Sequence, residues 1–547
     1  MGIKGGWTLL NPVESVSLVD WANQKISSGA MQDLGPRIGV DASGWMFAAK
    51  YHHGQTKSPA QASLFKRIGR LFHLPVVPLF VFDGPRRPVN KRKKNITKTS
   101  DWLTADFKRL LDGFGFSYWE APGEAEAELA MLSKLGLIDA VMSEDFDTMV
   151  FGAQRVIRIK EESDSQYLIE VYEAGSKFSR NNLVTIALLA GGDYDDGVQG
   201  CGIQTATNIA QSSIGERLFD AFDASEADNH AAVASTWRQD LCTMLEKRGA
   251  GRLHSRCRSL ASRIPLDFPK VSVVIQYIHP ITSQSNGPQN LPASVSLRQP
   301  NIPLLARLCE ELFVWGNSAG IVQHFCDHVF PGLAIRELIQ DLCKRRGLLP
   351  PNDTSISQHP MISRVCAVRV NQQERSQSEI FLSLVIPEAI LTQITSAISG
   401  IYNTDITLEK YDRFTKKRQV HVWLSRVLAL HARPNMLDDH QALTTSRKRK
   451  VIKPRIKQVK RHNMELSPVQ PVASTSANVL DTSQDWAEWR RSASVLEISS
   501  DESGKETTEI AAPRKRQKRA TSPKYRIEVC YSARGEVLEF CTDDEGL

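Results

Sequence analysis

The residues of this chain best suited to chemistry are acidic, and they recur in one setting. Asp41, Asp83, and the pair Asp145 and Asp147 each close a short apolar run. Glu124 and Glu126 follow Pro122-Gly123 at the head of an amphipathic stretch, and Asp193 closes the apolar run 182–190 in Gly191-Gly192-Asp193-Tyr194. Carboxylates gathered in this way suit hard divalent cations, which take oxygen ligands. Taken singly, each has a plainer use. Acids in the first turn of a helix complement its dipole, an aspartate after a strand caps or turns the chain, and Ser143-Glu144-Asp145-Phe146-Asp147 could be a solvated loop. Helical spacing puts 124 and 128 on one face and leaves 126 off it.

The elements that must position these residues alternate along the chain. Runs 37–40, 75–82 and 137–142 are apolar and strand-length, with helix-length segments between them. That alternation predicts a parallel sheet with crossover helices. In such a sheet all three aspartate clusters emerge at one edge, where ligand sites of open α/β sheets form. Run 182–190 predicts a helix, residues 205–211 a second, and Gly200-Cys201-Gly202 lies between them. A loop of that kind can present backbone groups to a phosphate, directly or through an ion.

The order of these motifs is similar to that of the XPG-like structure-specific nucleases, the family of flap endonucleases and eukaryotic Holliday-junction resolvases. The pieces that carry the resemblance are Met1-Gly2-Ile3-Lys4-Gly5-Gly6-Trp7, VDAS at Asp41, FDG at Asp83, APGEAEAE at Glu124 and Glu126, SEDFDTMVFG at Asp145 and Asp147, and GGDY at Asp193 with its Gly-x-Gly loop. It spans residues 1 to 215 and extends toward 345. It implies an α/β fold: a PIN-like parallel-sheet nuclease core with a helix-two-turn-helix element, a small chromodomain-like module and a disordered C-terminal tail. It also implies two Mg²⁺ ions per active site, with Asp41, Asp83, Glu124 and Glu126 serving one and Asp145, Asp147 and Asp193 the other. Two such ions hydrolyse a phosphodiester by activating water and offsetting charge on the attacking and leaving oxygens. Glu128 and Glu144 are expected to stand aside. Two departures stand out. Gly6 occupies a position usually held by leucine, predicting looser packing, and Gln204 stands where a lysine often follows the Gly-x-Gly, removing one phosphate contact.

The resemblance further assigns DNA contacts to Gly2, to Lys91, Arg92, Lys93 and Lys94, and to Gly200 and Gly202, with a monovalent cation at the Gly200–Gly202 loop. The basic residues fall within the 40 residues between Asp83 and Glu124, where the family builds an arch over the site. Residues 102–114 read as an amphipathic helix, which leaves only 86–101 for the arch. That is too short for a two-helix gateway, since short isolated helices are marginal.

The expected domains are 1–100 (XPG N-terminal region), 115–215 (XPG internal region with the helix-two-turn-helix), 216–345 (remainder of the nuclease core), 360–432 (chromodomain-like module) and 435–547 (basic tail). Strand-like runs 363–370, 379–385 and 419–424 mark the module, without an aromatic cage for methylated lysine, and 286–300 reads as an insertion or linker. Beyond 435 few aromatics remain; 447–461 holds nine basic residues and no acid, and 514–519 is a second cluster. Such runs predict nuclear localisation or non-specific DNA contact. Val495-Leu496-Glu497-Ile498 followed by acids has the form of a SUMO-interacting strand.

Charge and cysteine bound the rest. With 68 Lys and Arg against 61 Asp and Glu, the chain is mildly basic. Nine scattered cysteines without a C-x-x-C pair predict neither a zinc site nor a disulfide framework, and no apolar run is long enough for a membrane span. The reading is a nuclear, Mg²⁺-dependent endonuclease acting on four-way junctions and 5′-flaps, a monomer that dimerises on four-way junctions. Its rivals are a replication or repair 5′-flap endonuclease and a catalytically silent junction-binding scaffold.

Overall fold

Apolar side chains alternating between two faces build the centre of the molecule. In chain order the first half runs β1 (Glu14–Ser17), α1 (Leu18–Ser27), β2 (Arg37–Asp41), α2 (Ala42–Lys50), α3 (Pro59–Phe72), β3 (Val77–Phe82), β4 (Asn90–Lys91) and β5 (Lys94–Asn95). It continues with α4 (Thr104–Phe114), β6 (Ser117–Glu120), α5 (Ala125–Lys134), β7 (Ala140–Met142), α6 (Asp147–Val150), β8 (Arg155–Glu162) and β9 (Tyr167–Glu173). The computed structural model describes residues 2–438 except 29–34, 52–56, 89, 92–93, 96–100, 163–166, 248–256, 288–290, 293–294, 314, 316–317, 372–377 and 401–417, and beyond 438 it describes residues 525–529.

Seven strands form one sheet in the order β1-β9-β8-β7-β2-β3-β6. Pairings β2–β3, β2–β7, β3–β6 and β7–β8 are parallel, while β8–β9 and β1–β9 are antiparallel. Every residue of β3 is buried, as a strand covered on both faces requires. Val77, Phe80 and Phe82 join one apolar cluster, Leu79 and Val81 the other, and β7 divides Ala140 and Met142 from Val141 in the same way. The chain leaves β2 for β3 on one side and returns to β7 on the other, so the strand order reverses beside β2. That reversal is where a doubly wound sheet opens a crevice.

Helices α7 (Arg180–Ala190), α8 (Ile203–Ala210), α9 (Ser213–Asp223), α10 (His230–Glu246), α11 (Arg258–Ala261) and α12 (Val271–Ile278) belong to one face, and α13 (Ile302–Leu308), α14 (Ser318–His328) and α15 (Phe330–Arg345) to the other. The 286–300 stretch is no free linker at its end. Leu297 is buried, the Arg298 N–H donates to the Gly115 carbonyl at 3.2 Å, and the Arg298 guanidinium reaches Asp112 at 3.2 Å.

A second sheet follows, built from β10 (Ile362–Asn371), β11 (Glu379–Val385), β12 (Gln419–Ser425) and β13 (Tyr525–Val529), with α16 (Glu388–Ala397) and α17 (Arg426–Ala432). Its order is β12-β11-β10-β13. Leu382, Leu384, Ile390, Ile394 and Leu428 belong to the same apolar cluster as β2 and β3, so this module grows out of the same core as the central sheet. Phe381, His421 and Trp423 line up on it, and the Arg369 guanidinium lies 4.4 Å from the Trp423 ring centre while pairing with Glu379 at 3.1 Å. The chain's own cation thus lies over the Trp423 ring. The tail expected to be disordered contributes β13, which pairs antiparallel with β10 from Ala367↔Val529 to Asn371↔Tyr525. Among the described residues no helix is long and apolar enough to cross a membrane.

Candidate metal centre and nucleic-acid interface

Three strand ends and two helix starts deliver the acids to the crevice. Asp41 ends β2 and caps α2, where its Oδ1 accepts the Ser43 N–H at 2.9 Å and the Gly44 N–H at 3.4 Å. Asp83 follows β3; its Oδ2 accepts the Ser43 hydroxyl at 2.8 Å and its Oδ1 the Ala125 N–H at 2.9 Å. Asp83 therefore links the starts of α2 and α5. After β7, the Ser143 hydroxyl donates to Asp41 Oδ2 at 3.3 Å and accepts the Asp145 N–H at 3.1 Å. Asp145 Oδ1 in turn accepts the Asp147 N–H at 3.0 Å.

Helix α5 resolves the spacing conflict between Glu124 and Glu126. It begins at Ala125, so Glu124 is its N-cap in extended conformation and Glu126 lies in its first turn. The Glu124 side chain makes no cap bond; the Tyr194 hydroxyl donates to its Oε2. Asp193, buried after α7, is thereby one residue from the bond that ties its loop to α5. Glu128 and Glu144 do stand aside. Glu128 accepts from the Trp119 indole and the Ser283 N–H, and Glu144 from Arg158 and the Ile159 N–H.

The electrostatics are those of like charges forced together. Asp145 and Asp147 are each 1% exposed, and Asp41 2%. Burial, reinforced by Glu126, Asp83 and Asp145, pushes the Asp41 carboxyl well above the usual carboxylate range. Among the described residues no three acidic, His or Cys side chains close around one point as a finished cage. The acids are instead held through Ser43, Ser143, Tyr194 and backbone N–H groups. The donor set fits Mg²⁺, which keeps several waters and takes few carboxylates directly. Gly2 supplies a further sign of fit. With φ +72°, a Cβ there would lie 2.4 Å from Asp147 Oδ1 and 2.5 Å from Asp145 Oδ1, so only glycine brings the backbone onto these carboxylates.

The Gly6 expectation fails. A Cβ at Gly6 would meet the Phe146 ring at 2.5 Å, and Phe146 packs edge-on to Trp7 with centroids 5.1 Å apart. The Phe146 ring fills the space a leucine would need, so local packing is tight.

Of the residues assigned to DNA, Lys91 and Lys94 lie in β4 and β5, which pair as Asn90↔Asn95 and Lys91↔Lys94. Arg92 and Lys93 lie outside the described residues, as do Val495, Leu496, Glu497 and Ile498 and both basic runs of the tail. Gly202 caps α8, and Gly200 precedes it with φ +83°. Sequence reasoning missed several positions. Ser43 and Ser143 sit two residues from Asp41 and Asp145, and that proximity was the available signal. Phe47 of α2 and Tyr51, the residue that follows α2, lie with tilted rings 4.8 Å apart while 55% and 66% exposed, and Trp102 is 63% exposed. Lys50 pairs with Asp101, bringing that end of α2 to the residue before Trp102. These three exposed aromatics flank the 86–101 segment, and no pattern of polar residues signalled them.

Residues 1–101 match the XPG N-terminal domain and residues 115–193 the XPG I-region. Flap endonuclease 1 of Nanoarchaeum equitans is 28% identical over 33% of this chain and 70% of its own length. Holliday junction resolvase YEN1 of Saccharomyces cerevisiae is 23% identical over 51% of each chain. The chain thus spans about half the length of the yeast protein. Among solved structures, the eukaryotic junction-resolving enzyme GEN-1 binding with cesium superposes with TM-score 0.62 and 25% identity over 81% of this chain and 100% of that one. The Holliday junction-resolving enzyme GEN1 in complex with product DNA and Mg²⁺ does so with TM-score 0.58 and 25% identity, over 79% and 97%.

Proposed function

We propose that this chain, whose residues 1–101 and 115–193 match the XPG N-terminal domain and the XPG I-region, is a nuclear, Mg²⁺-dependent endonuclease that nicks four-way DNA junctions near the branch point. The observation that carries this reading is the meeting of Asp41 with Glu126, Asp83 and Asp145, drawn from separate elements at the reversal of strand order. A scaffold without catalysis gains nothing from burying like charges together. The similarity to a resolvase solved with product DNA and Mg²⁺ supports the same substrate and ion.

Asp41, Asp83, Glu124 and Glu126 would hold one Mg²⁺, and Asp145, Asp147 and Asp193 the other. Two such ions, when bound, supply an activated water and offset charge on the attacking and leaving oxygens of a phosphodiester. The chain's own part is positioning. Ser43 and Ala125 fix both oxygens of Asp83, Ser143 ties Asp41 to the Asp145 turn, and Tyr194 orients Glu124. Burial keeps bulk water from Asp145 and Asp147, which strengthens every charge interaction there. Phe47, Tyr51 and Trp102 offer exposed rings on which unpaired bases can stack. Lys91, Arg92, Lys93 and Lys94 bring positive charge for phosphates. A single molecule cuts one strand, so resolving a junction takes two molecules on opposite strands.

The test is cleavage of an intact four-way junction and a 5′-flap in Mg²⁺ by the full chain and by Glu124→Gln and Asp145→Asn. Each variant removes a ligand charge without removing bulk, so the cleavage rate should fall about 10²-fold or more while DNA binding persists. Full activity of either variant sinks the metal assignment. An uncut junction beside a cut flap makes the protein a 5′-flap endonuclease instead.

A further inference from the structure

The Gly200–Gly202 loop lacks the lysine expected after it, and its neighbour Gln204 is turned along α8, with its Nε2 3.5 Å from Asn208 Oδ1. A different cation sits on this loop. The Arg263 guanidinium, reaching over from the residues after α11, donates through Nη1 to the Gln199 carbonyl at 3.4 Å and through Nη2 to the Ser259 hydroxyl. The fit is close: a Cβ at Gly200 would lie 2.2 Å from Arg263 Nη1, so a glycine there makes room for the guanidinium. Arg263, Gln199, Gly200 and Gly202 are all exposed. Other cations nearby are committed elsewhere. Lys270 pairs with Asp195 at 2.6 Å, and the Arg238 guanidinium donates to the Pro265 and Ile264 carbonyls. Among the described residues no carboxylate is ion-paired with Arg263.

We propose that Arg263 is the loop's resident cation and binds a backbone phosphate of DNA, taking the place of both the missing lysine and the expected monovalent ion. A guanidinium has five N–H donors in a fixed fork. Two are used on Gln199 and Ser259, which leaves three on an exposed side chain held against the loop. A planar, pre-oriented donor set of this kind suits a phosphate oxygen pair. Its Nη1 also takes up the Gln199 carbonyl, an oxygen of the kind an inorganic cation binds, and its positive charge disfavours a second cation beside it. This inference rests on the DNA-cleaving reading and adds to it a named phosphate contact on the same α7–α8 connection that carries Asp193.

The experiment measures binding of the full chain to a four-way junction without divalent metal across a KCl series, and steady-state cleavage with Mg²⁺. Arg263→Ala should lower the slope of log Kd against log salt by about 1 and raise KM, with kcat changed by no more than about twofold. Arg263→Lys should keep most of the salt slope, because the charge remains although the fork is lost. Adding Gln204→Lys to Arg263→Ala should return the slope, since the loop then regains a cation from α8. Replacing K⁺ by tetramethylammonium at equal ionic strength should leave wild-type affinity unchanged. An unaltered slope and KM in Arg263→Ala, with wild-type binding and cleavage intact, overturns this inference alone. So does a wild-type affinity that collapses without K⁺. A wild-type protein that neither binds nor cuts branched DNA overturns the nuclease reading as well.

Discussion

Asp41 caps α2, anchors Ser143 and lies in the field of three other carboxylates, all while buried. Its raised pKa fixes a sign. Such a carboxyl holds its proton more tightly folded than unfolded, so its stabilising share is complete below the unfolded pKa, about 4. That share is lost as pH rises through the folded value. Asp41→Asn keeps a capping oxygen and removes the charge. In EDTA it should be more stable than the parent chain by about 0.5–2 kcal/mol near neutral pH, with the gap widening from acid to neutral and narrowing when Mg²⁺ is added. Urea denaturation at several pH values checks this; a variant less stable than the parent at neutral pH contradicts it. The placement of the acids at strand ends and a helix start was legible because each follows an apolar run or opens a helix. Residue spacing alone left Glu124 and Glu126 on different faces, because it could not show that α5 begins between them. Gly6 was misread for a similar reason. Its meaning lies in the Phe146 ring, which is 140 residues away in sequence.

At the scale of elements, the parallel sheet was legible from buried, β-rich runs separated by helix-length segments, and the three aspartate clusters do emerge from parallel neighbours. Boundaries were less so. The 137–142 run yields a strand only over Ala140–Met142, since residues 135–139 complete the turn out of α5. The helix that bounds the expected arch at its far end is Thr104–Phe114, close to the 102–114 read from the sequence, but the pairing inside 86–101 was not foreseen. Asn90–Lys91 and Lys94–Asn95 pair as a minimal antiparallel ladder. An arch of only 86–101 without a helical gateway would not require a free 5′ end to be threaded. Attaching streptavidin to a biotinylated 5′-flap should therefore slow single-turnover cleavage by no more than about twofold. If the block stops the reaction when added before the enzyme but spares it when added afterwards, threading is required and the open-arch reading fails.

Across the whole molecule, the sequence division at 360–432 marked a module but could not say what it packs on. Its apolar residues enter the same cluster as the central strands, and Ser425 donates its hydroxyl to Asn23 Oδ1 at 2.8 Å on α1. The largest surprise is β13, because a short run of β-prone residues in a polar tail carries no sign of its partner. Pairing with β10 satisfies backbone groups along Ala367 to Asn371 that would otherwise form an open sheet edge. Two truncations separate this role from that of the basic runs. Removing 447–547 deletes both, whereas removing 447–522 joins the core to β13 and deletes only the basic runs. Both should leave the nucleus and still cut a short junction in vitro, since the acids and the arch are untouched. Only the longer deletion should expose the β10 edge. It should show faster hydrogen exchange at the amides of residues 367–371, by about fivefold or more for a loss on the order of 1 kcal/mol, and concentration-dependent self-association. Equal exchange at those amides in the two truncations would remove β13 from the module, and continued nuclear fluorescence of either would remove the localisation signal from the basic runs.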